Sequence, residues 1–157
     1  MIEQGQVLPA GTLSELTTDG MQTHNVAELF ANKKVVLFAV PGAFTPTCSE
    51  AHLPGFVVMA DEFKAKGVDI IACVSVNDAF VMKAWGAGQN ASELTMLADG
   101  DASFTKALGL EMDTAGFGGV RSQRYAMVVD NGVVTRLNVE APQSFEVSTA
   151  EAVLATL

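Results

Sequence analysis

The chain has 157 residues, enough for one domain with a substantial core and no need of disulfide staples. Its 18 acidic residues against 9 basic ones leave a net charge of −9, which argues against nucleic acid as a partner and disfavours an anionic membrane surface. Hydrophobic residues make up 49% of the chain, too many for a disordered one, yet no apolar run reaches the roughly 18 residues a membrane helix needs.

The start, Met1-Ile-Glu-Gln-Gly5, has neither the basic residues nor the apolar stretch of a secretory signal. A cytoplasmic location is therefore expected, with a trimmed organellar transit peptide left open. Thr12 to His24 reads as a hairpin turning at Asp19-Gly20, and Asn25 as the cap of a short helix ending at Phe30. Val35 to Val40 is continuously apolar, as in a central strand buried on both faces. Past Cys48 the apolar spacing turns helical, with Leu53, Phe56, Val57, Ala60 and Phe63 on one stripe. Two starts fit this helix: Thr45 as cap with Pro46 first, or a capping box over Thr47 to Glu50. Pro54 predicts a kink one or two turns in.

Val68 to Val76 reads as a second buried strand containing Cys73. Asp78 opens a helix to about Ala87, with Phe80, Val81 and Trp85 on its apolar side. A short strand near Thr95 to Leu97, a helix from Ala102 to Leu108 and a mobile glycine-rich loop from Asp113 to Gly119 follow. Arg124 to Val129 and Val133 to Val139 form a hairpin around Asp130-Asn-Gly132, and Ser148 begins a last helix. The order predicts an α/β, thioredoxin-like fold: a central mixed sheet flanked by helices, with an N-terminal hairpin extension, residues 1–157 forming a single domain.

Chemistry concentrates at Cys48, one of only two cysteines. It sits at a strand-to-helix turn, where unpaired backbone N–H groups and the helix dipole favour the nucleophilic thiolate. Cys48 and Cys73 do not form a CxxC pair, and the only histidines, His24 and His52, are not spaced for zinc. His52, four positions past Cys48, allows a Cys–His hydrolase or acyltransferase only weakly and is better read as structural. The glycines of the 116–119 loop are not a phosphate cradle, since no lysine with serine or threonine follows.

The segment Pro41-Gly-Ala-Phe-Thr-Pro-Thr-Cys48-Ser, with His52-Leu-Pro-Gly-Phe56 after it, resembles the active-site segment of peroxiredoxins, and more narrowly of the type II, or peroxiredoxin-5, subfamily. Ser75 to Trp85 and Arg121 to Val129 extend the resemblance, which covers the chain from Gly11 onward. It implies a thiol-dependent peroxidase acting on hydrogen peroxide and alkyl hydroperoxides, with no cofactor and no metal. Cys48 would be the peroxidatic cysteine, oxidised to a sulfenic acid. Thr45 would hydrogen-bond thiolate and peroxide, Pro41 would shield the sulfur, and Arg124 would be the catalytic arginine, with Arg121 a lesser candidate. Cys73 would resolve the sulfenic acid as an intramolecular disulfide, against the plainer reading of a buried small hydrophobe. Thioredoxin, glutaredoxin or glutathione would be the reductant. The family's homodimer would use apolar loops around the pocket, here Phe44 and Phe117. Two other classes stay in view: a redox sensor or relay without efficient turnover, and a thioredoxin-fold domain with a purely structural cysteine, which would need none of Pro41, Thr45 and Arg124.

Overall fold

In chain order, the computed structural model, which describes residues 1–157, opens with β1 (Thr12–Thr17), β2 (Gly20–Asn25), α1 (Val26–Phe30) and β3 (Lys34–Ala39). A widened helical turn (Cys48–His52) then leads into α2 (Leu53–Val58) and α3 (Ala60–Ala65). Next come β4 (Ile70–Ser75), α4 (Ala79–Gly88), β5 (Thr95–Ala98), α5 (Ser103–Leu108), β6 (Glu111–Asp113) and β7 (Val120–Ser122). The chain closes with β8 (Tyr125–Asp130), β9 (Val133–Val139) and α6 (Ala150–Leu154). No helix is long and apolar enough to cross a membrane.

Seven strands form one mixed sheet in the order β2-β1-β5-β4-β3-β8-β9. β3, β4 and β5 run parallel, while β8 lies antiparallel beside β3 and the N-terminal hairpin extends the β5 edge. This is the mixed, helix-flanked sheet that the order of elements predicts. Side chains alternate across a strand, so β3 serves two cores at once. Val36, Phe38 and Val40 face the layer holding α2, α3, α4 and α6, whereas Val35, Leu37 and Ala39 face α1 and α5. That double burial is why the strand reads as an unbroken apolar run. On β4, Ile71 and Cys73 share the first of these faces with Cys48.

Local sequence explains most boundaries. Asn25 Oδ1 accepts from Glu28 N, and Asp78 Oδ1 accepts from Val81 N, each capping its helix. The β8–β9 turn is Asn131-Gly132, both at positive φ (49° and 81°), as a tight two-residue hairpin requires. The first hairpin instead turns on Thr18-Asp19, since Thr17 already pairs with Gly20.

Three elements differ from expectation. Phe80 is 65% exposed, because the buried stripe of α4 runs through Ala79, Met82, Trp85 and Gly86. The 113–119 segment is not an open loop: β6 pairs with β7, and Thr114 Oγ1 donates to Gly119 O while accepting from Gly118 N. The last helix starts at Ala150 with Thr149 as its cap, because the Ser148 hydroxyl is engaged by Glu140 at 2.6 Å.

Candidate active site

Three strand ends converge on Cys48. β3 ends at Ala39, which pairs with Tyr125 of β8, and Tyr125 pairs with Val139 of β9. Pro41, Arg124 and Glu140 therefore emerge close together, and Glu140 N donates to Arg124 O at 2.9 Å.

Helical conformation begins at Pro46, which selects Thr45-Pro46 over the alternative start. Cys48 thus lies in the first turn, and the first backbone bond of that turn runs from Ser49 N to Thr45 O at 2.9 Å. The following turn is widened: Leu53 N reaches back five residues to Cys48 O. Pro54 has no N–H to give Glu50, and its ring would crowd that carbonyl, so an expanded turn relieves the conflict that predicts a kink. Phe56 then stacks on Phe38 at 4.1 Å between ring centroids and 7° between planes, fastening α2 to β3. Cys48 and His52 both end fully buried.

The central contact is a forked one from Arg124. Its Nη2 donates to Cys48 Sγ at 3.1 Å, and its Nη1 donates to His52 Nδ1 at 2.8 Å. A carbonyl can only accept, so the 2.9 Å contact of His52 Nε2 with Ser148 O places the ring proton on Nε2 and leaves Nδ1 as acceptor. Burial first, and the Arg124 charge second, hold His52 down at about 3, opposed in part by Ser148 O and Glu140. His52 is accordingly neutral and already occupied on both nitrogens, which removes it as a general base for Cys48. The Arg124 guanidinium also lies over the Phe145 ring, 5.7 Å from its centroid.

Pro41, Thr47, Met112, Arg124, Glu140 and Phe145 are among the residues lining a cavity of about 640 Å³ above this cluster. Thr45 Oγ1 donates to Gly42 O at 2.7 Å, so its proton is spent and its lone pairs remain. Arg121 is not part of the cluster: it binds the backbone, with Nη1 on Val76 O at 2.8 Å and Nε on Gly118 O at 3.0 Å. Cys73 is fully buried and unpaired with Cys48. Burial chiefly, and the neighbouring Cys48 second, push its thiol well above the usual range.

Sequence reasoning singles out Cys48, Thr45, Pro41 and Arg124: Arg124 touches Cys48, Pro41 lines the same cavity as Arg124, and Thr45 opens the helical turn of Cys48 with its hydroxyl on Gly42 O. The same reasoning passes over His52 as a support for Arg124 and misses Glu140, Ser148 and Phe145 altogether. The four-residue step from Cys48 to His52, one helical turn, is the available signal.

Comparison with known proteins agrees with this geometry. The chain belongs to the Redoxin family, whose model matches residues 3–154. Within it the chain is a type II peroxiredoxin, a thiol-dependent peroxidase. It is 54% identical to peroxiredoxin-2E-2, chloroplastic, of Oryza sativa, over 99% of this chain and 72% of that one. With peroxiredoxin-2D of Arabidopsis thaliana it shares 50% identity over 99% and 98% of the two chains. The reduced Prx3 of Vibrio vulnificus, solved in complex with hydrogen peroxide, superposes with a TM-score of 0.98 at 78% identity, over 99% of each chain.

Proposed function

We propose that Cys48 is the peroxidatic cysteine, with Arg124, Thr45 and Pro41 shaping its reaction. The observation that carries this reading is the 3.1 Å contact from Arg124 Nη2 to the buried Cys48 Sγ. The sulfur attacks one peroxide oxygen, an S–O bond forms, the O–O bond breaks, and the departing oxygen leaves as water or alcohol once protonated. Negative charge spreads from sulfur over both oxygens in the transition state. A fixed guanidinium stabilises that charge without having to reorient. Thr45 acts as an acceptor for the peroxide O–H, because its own proton is held by Gly42 O. Pro41, at the cavity wall, keeps water from the sulfur. Residues 1–157 act as one domain.

Rapid mixing with hydrogen peroxide tests the assignment. Cys48 is expected to oxidise orders of magnitude faster than free cysteine at the same pH. A rate no faster than free cysteine would sink it.

Regeneration is assigned to Cys73. Its thiol attacks the Cys48 sulfenic sulfur, forming a disulfide and releasing water, and a thiol reductant of the thioredoxin or glutaredoxin class, or glutathione, then reopens the bond. Cys73 is held protonated among Ile71, Phe38 and Met96, so the first helical turn must loosen before it reacts. Cys73→Ser is expected to leave the first, single-turnover oxidation of Cys48 unchanged and to slow thioredoxin-dependent cycling about tenfold or more. Steady-state cycling equal to wild type would instead mean direct reduction of Cys48 by the external thiol. Phe44, Phe80 and Phe117, each a large apolar side chain left exposed, support a homodimer that would cover them. Two free thiols suit a reducing compartment, the cytoplasm in this reading.

A further inference from the structure

Glu140 lines the same cavity as Arg124, and its backbone N–H is bonded to the Arg124 carbonyl, yet its carboxylate makes no ion pair with the guanidinium. The reason lies in what the carboxylate already holds. Glu140 Oε2 accepts from Ser148 N at 2.7 Å, from Ser148 Oγ at 2.6 Å and from Glu146 N at 2.8 Å, while Oε1 accepts from Glu146 N at 3.0 Å. The side chain is buried with these donors turned onto it. A carboxylate so saturated has little left to draw Arg124 away from Cys48.

The same bonds fold the 140–148 segment back on itself and fix the Ser148 carbonyl. That carbonyl accepts from His52 Nε2, which sets the tautomer and presents the Nδ1 lone pair to Arg124 Nη1. The Phe145 ring, carried on the same segment, packs edge-on against His52 at 5.0 Å and under Arg124. One loop therefore braces the arginine by two routes, a hydrogen-bonded one through Ser148 and His52 and an aromatic one through Phe145.

We infer that Glu140 is a positioning residue for the peroxidase reaction, a latch that sets the 140–148 segment so that Ser148, His52 and Phe145 aim Arg124 at Cys48. The inference rests on the roles proposed for Cys48 and Arg124, and the experiment separates the two.

The second-order rate of Cys48 oxidation is measured by rapid mixing in wild type, Glu140→Gln, Arg124→Met and the double variant. Glutamine can still accept from Ser148 but turns an N–H₂ toward Glu146 N, so the latch is weakened at nearly constant shape. Glu140→Gln is expected to slow oxidation about tenfold, as a misaimed donor does, and to cost less than about twofold once Arg124 is already methionine. In ¹⁵N spectra, wild-type His52 should hold the single Nε2–H tautomer, and Glu140→Gln should mix the two. A Glu140→Gln rate within twofold of wild type, or an equal loss with and without Arg124, would overturn the latch. Should that variant fail to fold, Ser148→Ala removes only the hydroxyl contact, and an expected threefold loss that vanishes in the Arg124→Met background supports the latch equally. A loss that persists there overturns it. Wild-type oxidation no faster than free cysteine overturns the roles of Cys48 and Arg124 and the latch with them, whereas fast wild type with equally fast Glu140→Gln overturns the latch alone.

Discussion

Arg124→Met is expected to slow peroxide oxidation of Cys48 by 10²–10³-fold, about 3–4 kcal/mol of transition-state stabilisation, the usual cost of removing one fixed donor from a developing oxyanion. Methionine keeps much of the arginine's length and its packing on Phe145 but donates nothing to Cys48 Sγ or His52 Nδ1. Lysine keeps the charge and loses the fork. A single ammonium on a flexible stem cannot hold the two acceptors in the fixed plane that guanidinium does, so Arg124→Lys should fall nearer to methionine than to wild type. Alkylation of Cys48 by iodoacetamide provides the contrast. That reaction reports the nucleophilicity of the sulfur but lacks the departing peroxide oxygen, so it should fall by a smaller factor than peroxide oxidation. Equal factors would place the whole effect of Arg124 on the sulfur, and a methionine variant within threefold of wild type would remove Arg124 from the mechanism. The His52 Nδ1 acceptor is left buried without a partner in the methionine variant, so a stability loss of about 1–3 kcal/mol should accompany the kinetic one.

How much of this site the sequence discloses depends on the range of the interaction. The unbroken apolar runs of β3 and β4 announce strands buried on both faces, and the turn after β3 announces a thiol at a helix start. These are local signals. The match of Arg124 to the family's arginine comes by resemblance, because nothing local ties residue 124 to residue 48; the tie is the Ala39–Tyr125 pairing of β3 with β8. Glu140 is hidden by a smaller event. Counting back from the Asn131-Gly132 turn with regular pairing sets Arg124 opposite Val139. The bulge at Thr135 shifts the register by one, from Val129–Val134 to Val128–Arg136, and delivers Glu140 to Arg124 instead. A one-residue slip exchanges the faces of a strand, and the bulge here is what brings a carboxylate rather than a valine into the cavity. The widened turn at Cys48–His52 is equally quiet in sequence: Pro54 predicts a disturbance but not that an expanded turn absorbs it. Phe80 misleads for a different reason. Apolar spacing weighs large side chains, while the buried face of α4 includes the small Ala79 and Gly86, the latter closely backed by Met96.

Acid should weaken the whole fold through the support of Arg124, which the native state keeps intact by holding His52 neutral. His52 is held at about 3 in the native state against an ordinary value near 6.5, so between those limits the unfolded chain binds a proton that the native chain refuses. Stability from this group is complete above about pH 6.5 and falls as pH drops toward 3, by roughly 2 kcal/mol at pH 5 and more than 4 kcal/mol in full. A protonated Nδ1 would meet the Arg124 Nη1–H head on, donor against donor and charge against charge. Glu140 adds to the loss at lower pH. Burial opposes its ionisation, but the bonds from Ser148 and the backbone N–H groups of the 146–148 segment outweigh it and hold the carboxyl below its usual range, so its contribution disappears only once that lowered value is passed. At the alkaline end the sign reverses: burial keeps Cys73 and Tyr125 protonated beyond their ordinary ranges, and stability falls as the unfolded thiol and phenol ionise. Urea unfolding from pH 7.5 to 5 in wild type and His52→Asn measures the first limb. Asparagine offers an amide with a donor and an acceptor but does not titrate, so the variant should be less stable at pH 7.5 and nearly flat across the interval. Parallel slopes for the two proteins would show that His52 titrates normally, and with that the neutral, doubly bonded imidazole that aims Arg124 would be lost.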